Sequence, residues 1–515
     1  MHDQGTIATL YSSLETQRSS YLERGRNSSR LTIPTILPDD MTSGHQKFPT
    51  PYQSVGARGV NNLASALLLS LLPPNAPFFR LVLDEAESRK MDALDPRIKT
   101  EVEKSLADIE RAVSREIEVN SIRVGAFEAI KHLIVTGNAL LYLPDAGSMR
   151  VIHLNRYVVK RDPMGTPNCI IIKENISPAV LPDELREYVK SKLADYEDTV
   201  EIYTKQEIIN NDKVMVIQEC QGRVIEETKK IYPLERAPFI ALRMMRVDGE
   251  SYGRGYVEQY YGDLQSLEGL TKAIVEGAAA SSKVLFLVNP NGTTRAKTLA
   301  ESPNGAIREG SAADVSVLQS NKASDFGVAL NAMQQINDRL SYAFLLTEST
   351  IRNADRVTAE EVRLVTLSIE RQLGGIYSVL SQEFQLPLVR RLMDIMAKKK
   401  KLPKIPADKV TPTIITGIEA LGRGSDLNRL DIYLSGIAQI LGPEALGQYI
   451  NMKEYMTRRA LALGIETEGL VKSDEQMQAE MQQQQQQQMA QQVAPNAINA
   501  ASGMMQQQME SAANG

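Results

Sequence analysis

Residues 257–280 read VEQYYGDLQSLEGLTKAIVEGAAA. Val257, Tyr260, Leu264, Leu267, Leu270, Ile274 and Ala278 recur every three or four positions, and Glu258, Asp263, Glu268 and Lys272 lie off that stripe. The stretch therefore reads as an amphipathic helix of about seven turns. A strand pattern follows at 284–288, then the turn formers Asn289-Pro290-Asn291-Gly292 and Ser302-Pro303-Asn304-Gly305, then a second strand at 315–318. A second long helix begins near Ser324 and carries Phe326, Leu330, Met333, Leu340 and Phe344. Two long helices flanking a small β insertion make a stalk with a tip. The first helix also carries the small residues Gly277, Ala278, Ala279 and Ala280.

Upstream, residues 3–30 place Ile7, Leu10, Leu14 and Tyr21 on one stripe before a polar, arginine-rich tail that runs into Pro34 and Pro38. The pattern predicts a peripheral helix followed by an extended segment. Residues 51–72 are apolar on all sides and stop at Pro73-Pro74, as a buried helix does. The most apolar run, 63–72, is about half the length that spans a bilayer. Residues 95–119 carry the thin stripe Ile98, Val102, Leu106, Ile109, Val113 and Ile117 of an exposed amphipathic helix, and 124–135 repeat that spacing until Gly137-Asn138. The period then drops to two. The segments 139–143, 150–154, 158–161, 169–173, 200–203, 214–219 and 224–231 are short and rich in β-branched residues, so 139–245 reads as a strand-rich layer with a helix near 183–194.

Downstream, 347–357 is a polar loop, and Thr358-Ala359-Glu360-Glu361 matches a capping box. It opens a long helix through Val362, Val365, Ile369, Leu373, Ile376, Leu380 and Phe384 that continues to Met396, with a kink expected at Pro387. The run Lys398 to Lys401 suits the negative end of that helix better than it suits a DNA contact. Residues 426–464 read as short helices punctuated by Gly436, Gly442-Pro443 and Gly447. Beyond Ser473 the chain is rich in Gln and Met, with glutamine throughout 482–488. A disordered tail fits this composition, and so does a helix formed only beside copies of itself, since Met477, Met481 and Met489 keep helical spacing.

A chain of 515 residues exceeds what one core usually serves, and a hydrophobic fraction of 43% is ample for a packed interior. With no Trp, 5% aromatics and 19 Met, packing rests on aliphatic side chains, and the fold class is α+β, mainly α. Cys169 and Cys220 alone exclude a disulfide framework and a cysteine zinc site. No basic segment followed by an apolar one opens the chain, so cytoplasmic synthesis is expected. A net charge of −5 disfavours a tight grip on DNA, yet it suits a surface past which DNA slides.

Bond chemistry finds no foothold. Gly417-Ile418-Glu419-Ala420-Leu421-Gly422-Arg423-Gly424 has phosphate-loop glycine spacing, but Arg423 and Gly424 stand where lysine and a hydroxyl are needed. A nucleotide-dependent nucleic-acid enzyme with a degenerate phosphate loop is therefore a lesser reading, as is a ring-forming tail adaptor without a DNA conduit. Gly253-Arg254-Gly255 lacks the third glycine of a dinucleotide fingerprint and reads as a hinge. His2, His45, His132 and His153 occur singly, no nucleophile elbow surrounds a serine, and the acidic pairs Asp39-Asp40 and Asp183-Glu184 sit beside prolines in turn-like sequence. No catalytic residue, metal ligand or cofactor is expected.

Four blocks resemble, in order, the portal (head-to-tail connector) proteins of short-tailed podovirus-type phages. They are Gly56-Ala57-Arg58-Gly59-Val60-Asn61-Asn62-Leu63-Ala64, leading to Leu72-Pro73-Pro74 and Pro77-Phe78-Phe79; Val135-Thr136-Gly137-Asn138-Ala139; Gly249-Glu250-Ser251-Tyr252-Gly253-Arg254-Gly255; and Arg356-Val357-Thr358-Ala359-Glu360-Glu361-Val362. The resemblance spans residues 10–465. It implies a ring of twelve subunits at one capsid vertex, the conduit for double-stranded DNA in packaging and ejection and a nucleator of capsid assembly. By residue it implies an N-terminal segment and wing (1–256), a stem helix (257–282), a β clip (283–322), a second stem helix (323–346), a tunnel loop (347–357), the remaining wing with its kinked helix (358–424), a helical crown (425–467), and a C-terminal helical barrel or disordered tail (468–515).

The same resemblance puts Glu348, Arg352, Asp355 and Arg356 in the channel, where two cations offset by two carboxylates would touch phosphates weakly enough to let DNA pass. A solvated loop or salt bridges between subunits is the plainer account of those four. Asn291, Arg295, Lys297, Asn304 and Arg308 would form the clip's docking surface for the terminase motor and then the tail adaptor. The other implied partners are the major capsid, scaffolding and internal core proteins, with no membrane. The implied location is the head–tail junction of the virion, and the host cytoplasm during assembly.

Overall fold

The computed structural model describes residues 6–38, 47–74, 78–83, 96–181, 186, 199–210, 212–281, 285–318, 323–346, 373–402, 412–416, 422–441, 450, 455–456 and 459. They fall into two units, Met1–Leu421 and Gly422–Gly515. Helix α1 (Ile7–Arg30) starts at Thr6, whose hydroxyl accepts from the Thr9 N–H. It is not peripheral: Tyr11, Leu14 and Leu22 are buried, and so is Arg18, which donates to the carbonyls of Leu154, Asn155 and Tyr157. Buried Glu219 accepts from the Ile7 and Ala8 N–H groups, setting a carboxylate against the positive end of α1. The polar tail stays helical to Arg30 because its polar groups find partners inside the fold. Helix α2 (Val55–Leu71) is buried, as its all-round apolar pattern predicts. Strand β1 (Phe79–Leu83) and helices α3 (Pro96–Val119) and α4 (Ile122–Thr136) follow.

The strand region forms two antiparallel sheets, not one layer. Its strands are β2 (Asn138–Tyr142), β3 (Arg150–Ile152), β4 (Tyr157–Arg161), β5 (Pro167–Ile176), β6 (Val200–Asn210), β7 (Lys213–Cys220), β8 (Arg223–Pro233) and β9 (Phe239–Arg243). One sheet has the order β3-β2-β9, and the other is the meander β4-β5-β6-β7-β8. All five residues of β9 are buried, as are four of the five of its partner β2, so neither shows a period-two alternation.

The helix expected from Val257 is divided at Tyr260 into α5 (Tyr256–Gln259) and α6 (Tyr261–Ser281). Strands β10 (Leu285–Val288) and β11 (Val315–Leu318) pair antiparallel around the short helix α7 (Ala296–Ala300), and α8 (Ala323–Ala343) returns along α6. Residues 373–380 are helical, Ser381–Gln385 widen into a π turn, and α9 (Leu386–Lys398) resumes. Pro387 has no N–H to give the preceding turn, so the expected kink takes the form of this wider turn. Strand β12 (Pro412–Thr416) pairs antiparallel with β1, a contact that no local pattern announces. The principal core gathers α2, α3, α4, β2, β9 and α9 with the bases of α6 and α8. Each fully buried leucine in it, such as Leu63 or Leu67, contributes about 2 kcal/mol.

In the second unit, α10 (Gly422–Leu441) runs unbroken through Gly436, where separate short helices are expected. Asp431 accepts there from the Tyr455 hydroxyl and from Arg459. The loop 347–357, the capping box and the helix through 372, the helix near 183–194 apart from Arg186, and the Gln/Met tail lie outside the described residues.

Candidate functional site

Segments far apart in sequence meet where the two long helices join the rest of the fold. Gly137 closes α4 at φ 79°, and a Cβ added there would stand 2.5 Å from the Gly255 nitrogen. A Cβ on Gly253 would stand 2.6 Å from the Gly137 oxygen, and one on Gly255 the same distance from the Val135 oxygen. Backbone lies on backbone, which only glycine permits. Asn138 locks the contact: its Nδ2 donates to the Thr136 and Gly253 carbonyls and its Oδ1 accepts from the Gly253 N–H. The segment expected to be a hinge is therefore a clasp.

The clasp leads directly into α5. The Tyr256 hydroxyl donates to the Ala343 carbonyl at 2.9 Å, and its ring meets Phe344 edge-on. From α2, Asn62 Nδ2 donates to the Phe344 and Leu345 carbonyls, each at 3.0 Å. Gly59 lies under the Phe344 ring, where an added Cβ would be 2.5 Å from its Cγ. The last carbonyls of a helix have no partner within it; at the end of α8 three successive ones take side-chain donors from α2 and α5. Leu345 then adopts φ 58°, a left-handed conformation that a leucine holds only when its surroundings impose it. On the α6 side, Glu268 accepts from the Tyr52 and Gln53 N–H groups.

Buried charge braces the same region. Arg243, 3% exposed, grips Glu383 of the π turn through Nη2 at 2.6 Å and Nε at 3.2 Å. Arg161 donates to the carbonyls of Ser251, Gly165 and Ala241, and burial, aided by the Arg243 charge, lowers its pKa to about 10. Buried Arg391 bonds Leu143, Asp145 and Asp394. Lys398 pairs with Asp394, and Lys401 with Glu116, whose carboxyl is held below its usual range chiefly by that hydrogen bond. Two of the four lysines in the run thus pair with carboxylates of the same chain. His132 on α4 is pushed down to about 4 by burial, with His153 and Lys131 adding to the shift, so it is neutral at pH 7. Among the described residues no group of three or more His, Cys, Asp or Glu is arranged to hold a metal.

At the tip, Asn291, Arg295, Lys297, Asn304 and Arg308 are all exposed. Asn291 sits in the turn after β10, where its N–H donates to Asn289; Arg295 and Lys297 belong to the start of α7; Arg308 donates to the Ser302 hydroxyl. Asp314 holds the loop by accepting from the Thr293 hydroxyl and the Thr294 N–H, and these bonds keep its carboxyl below the usual range. Glu348, Arg352, Asp355 and Arg356 lie outside the described residues.

The family model for bacteriophage head to tail connecting proteins matches residues 4–471. The chain belongs to that family. It is 40% identical to the portal protein of Escherichia phage T7 over 483 residues, 92% of this chain and 89% of that one. It is 30% identical to the portal protein of Pseudomonas phage phiKMV, covering 92% of this chain and 93% of the other. Among solved structures, a chain in the neck of a native gene transfer agent particle, computed with C12 symmetry, matches 80% of this chain and 90% of its own length, at 10% identity and a TM-score of 0.32. The function is that of a portal protein, the connector between phage head and tail.

The phosphate-loop candidate of this portal chain follows β12, which belongs to a two-stranded antiparallel sheet and not to the parallel sheet such loops need. Residues 417–421 lie outside the described residues. Sequence reading passed over Asn62, Asn138 and Tyr256 as functional residues. A signal existed, because Asn62 and Asn138 stand inside two of the blocks that carry the portal resemblance and Tyr256 adjoins a third. What the sequence did not carry is that these blocks touch.

Proposed function

We propose that copies of this portal chain close into a ring of twelve around a channel for duplex DNA at one capsid vertex. The supporting observation is the uncovered surface of α6 and α8. Val275, Val328 and Tyr342 are 51%, 72% and 67% exposed, and a Cβ added to Gly262, Gly269 or Gly327 would meet nothing within 4 Å. Exposed side chains and open glycine positions carried along both helices are what one subunit offers a neighbour in a head-to-tail ring.

In this reading 257–282 and 323–346 are the stem, 283–322 the clip, 1–256 and 358–424 the wing, 425–467 the crown, and 468–515 a barrel pointing into the capsid or a disordered tail. The exposed clip residues Asn291, Arg295, Lys297, Asn304 and Arg308 face the terminase motor during packaging and the tail adaptor afterwards. Capsid, scaffolding and internal core proteins meet the rest of the ring. Residues 347–357 line the constriction, where Arg352 and Arg356 touch phosphates without sequence preference while Glu348 and Asp355 keep the hold weak. Ring formation occurs in the host cytoplasm, before incorporation at the head–tail junction.

Negative-stain imaging of the purified chain tests this. Closed rings with a bore of roughly 20 Å or more are expected, the width that duplex DNA demands. A protein that stays monomeric at high concentration, with particles lacking it still filling normally, overturns the proposal. Replacing Arg352 and Arg356 by Ala is expected to leave rings intact and to lower the DNA retained per particle.

A further inference from the structure

The carbonyls of Ala343, Phe344 and Leu345 are capped by two side chains, Tyr256 and Asn62, that belong to neither of the long stem helices. Three features indicate more than general packing. The donors come from two separate elements, α2 and α5, so together they fix the position of the helix end and not only its solvation. Phe344 is wedged against Gly59 and ringed by Tyr256 and Tyr260, which prevents α8 from turning about its own axis. Leu345 takes its left-handed φ of 58° immediately after, so the chain changes direction at one enforced residue. The two donors are also tied to the rigid part of the fold: Tyr256 directly follows the glycine clasp, and α2 is buried along most of its length.

We infer that Asn62 and Tyr256 are positioning residues that set the direction in which the chain leaves the second stem helix, and through it the bore of the channel. The inference rests on the proposal that 347–357 lines that channel. Neither residue has to touch DNA. Each acts through three backbone carbonyls, and an error in the exit direction at Leu345 grows with distance along the chain beyond it.

The test compares four variants in assembled particles: Asn62→Ala combined with Tyr256→Phe; Asn62→Asp, which turns a carboxylate toward two carbonyl oxygens; Arg352→Ala combined with Arg356→Ala; and Thr271→Ala as a control. Thr271 donates to Leu267 within α6, so its loss removes a stem hydrogen bond of the same kind without touching the exit of α8. Ring formation and unfolding temperature are measured first, then DNA retained per particle. The expected result is that the clamp variants form rings, melt within a few degrees of the parent, and retain at least severalfold less DNA, with Asn62→Asp the more severe and Thr271→Ala unchanged. Should Asn62→Asp fail to fold, Tyr256→Phe alone keeps the ring and its packing and carries the same prediction. Normal DNA in the clamp variants alongside reduced DNA in the arginine pair overturns this inference and leaves the channel reading standing. An equal loss in Thr271→Ala overturns it too, as a general stem effect. Normal DNA in both the clamp and the arginine variants overturns the channel reading and the inference with it.

Discussion

The glycine clasp and the stem are built on opposite principles, although a single residue, Tyr256, joins them. At the clasp, Gly137, Gly253 and Gly255 bring backbones so close that no side chain fits, and every polar group of Asn138 finds a partner within the same chain. Along the stem, Gly262, Gly269 and Gly327 face empty space, and the apolar side chains of Val275 and Val328 stand exposed on the same two helices. The same residue type therefore carries opposite meanings. In the clasp it marks a contact already made, and on the stem it marks one still to be made with another subunit.

The contrast is sharpest at the glycines themselves. Gly137→Val combines a positive φ with a backbone clash and is expected to cost about 4 kcal/mol or more, read as loss of soluble, cooperatively unfolding protein. Gly269→Leu is expected to leave the unfolding free energy of the dissociated subunit equal or slightly raised while sharply reducing the ring fraction in native mass spectra. A tolerated Gly137→Val, or rings that form normally from Gly269→Leu, would break the comparison.

Next in size is Arg243→Met, which leaves Glu383 partly buried with the residue-243 backbone N–H at 3.2 Å and Arg246 at 3.8 Å but without its bidentate guanidinium partner; a loss of about 3 kcal/mol is expected in chemical denaturation. Adding Glu383→Leu to that variant should recover most of the loss, since the cost is that of an unpaired charge.

His132 gives a smaller, pH-dependent effect confined to the core. Its folded-state pKa of about 4 lies below the 6.5 of an unfolded chain, so the unfolded state takes up the proton first as pH falls. Its contribution is therefore complete above pH 6.5 and is lost between there and about 4, reaching about 2 kcal/mol at pH 5. His132→Gln should flatten that part of the pH profile in thermal melts. Smallest for the subunit is Val328→Ser on the stem, expected to shift folding by no more than about 0.5 kcal/mol while weakening ring assembly.

What the sequence revealed follows the same division. The amphipathic period of α3 is visible because Val102, Leu106, Ile109, Val113 and Ile117 are buried along one face, and those of α6 and α8 show where Leu264, Leu267 and Leu340 meet the core. Strands β1 and β12 escaped because they exist only as each other's partner. Nothing beside Arg18 in the chain shows that three carbonyls from residues 154–157 await it. The family blocks pointed to the right glycines and asparagines. Their role was hidden because a clasp and a hinge share a composition and differ only in what lies opposite.

The pairing of β1 with β12 also bears on how the polypeptide is made. Residues 79–83 leave the ribosome long before 412–416 exist, and at the usual pace of translation the first strand waits for tens of seconds with an open edge. A prematurely terminated chain never closes that edge, so only finished copies hold the complete sheet, and fragments are left for chaperones and proteases instead of competing for a place beside intact subunits.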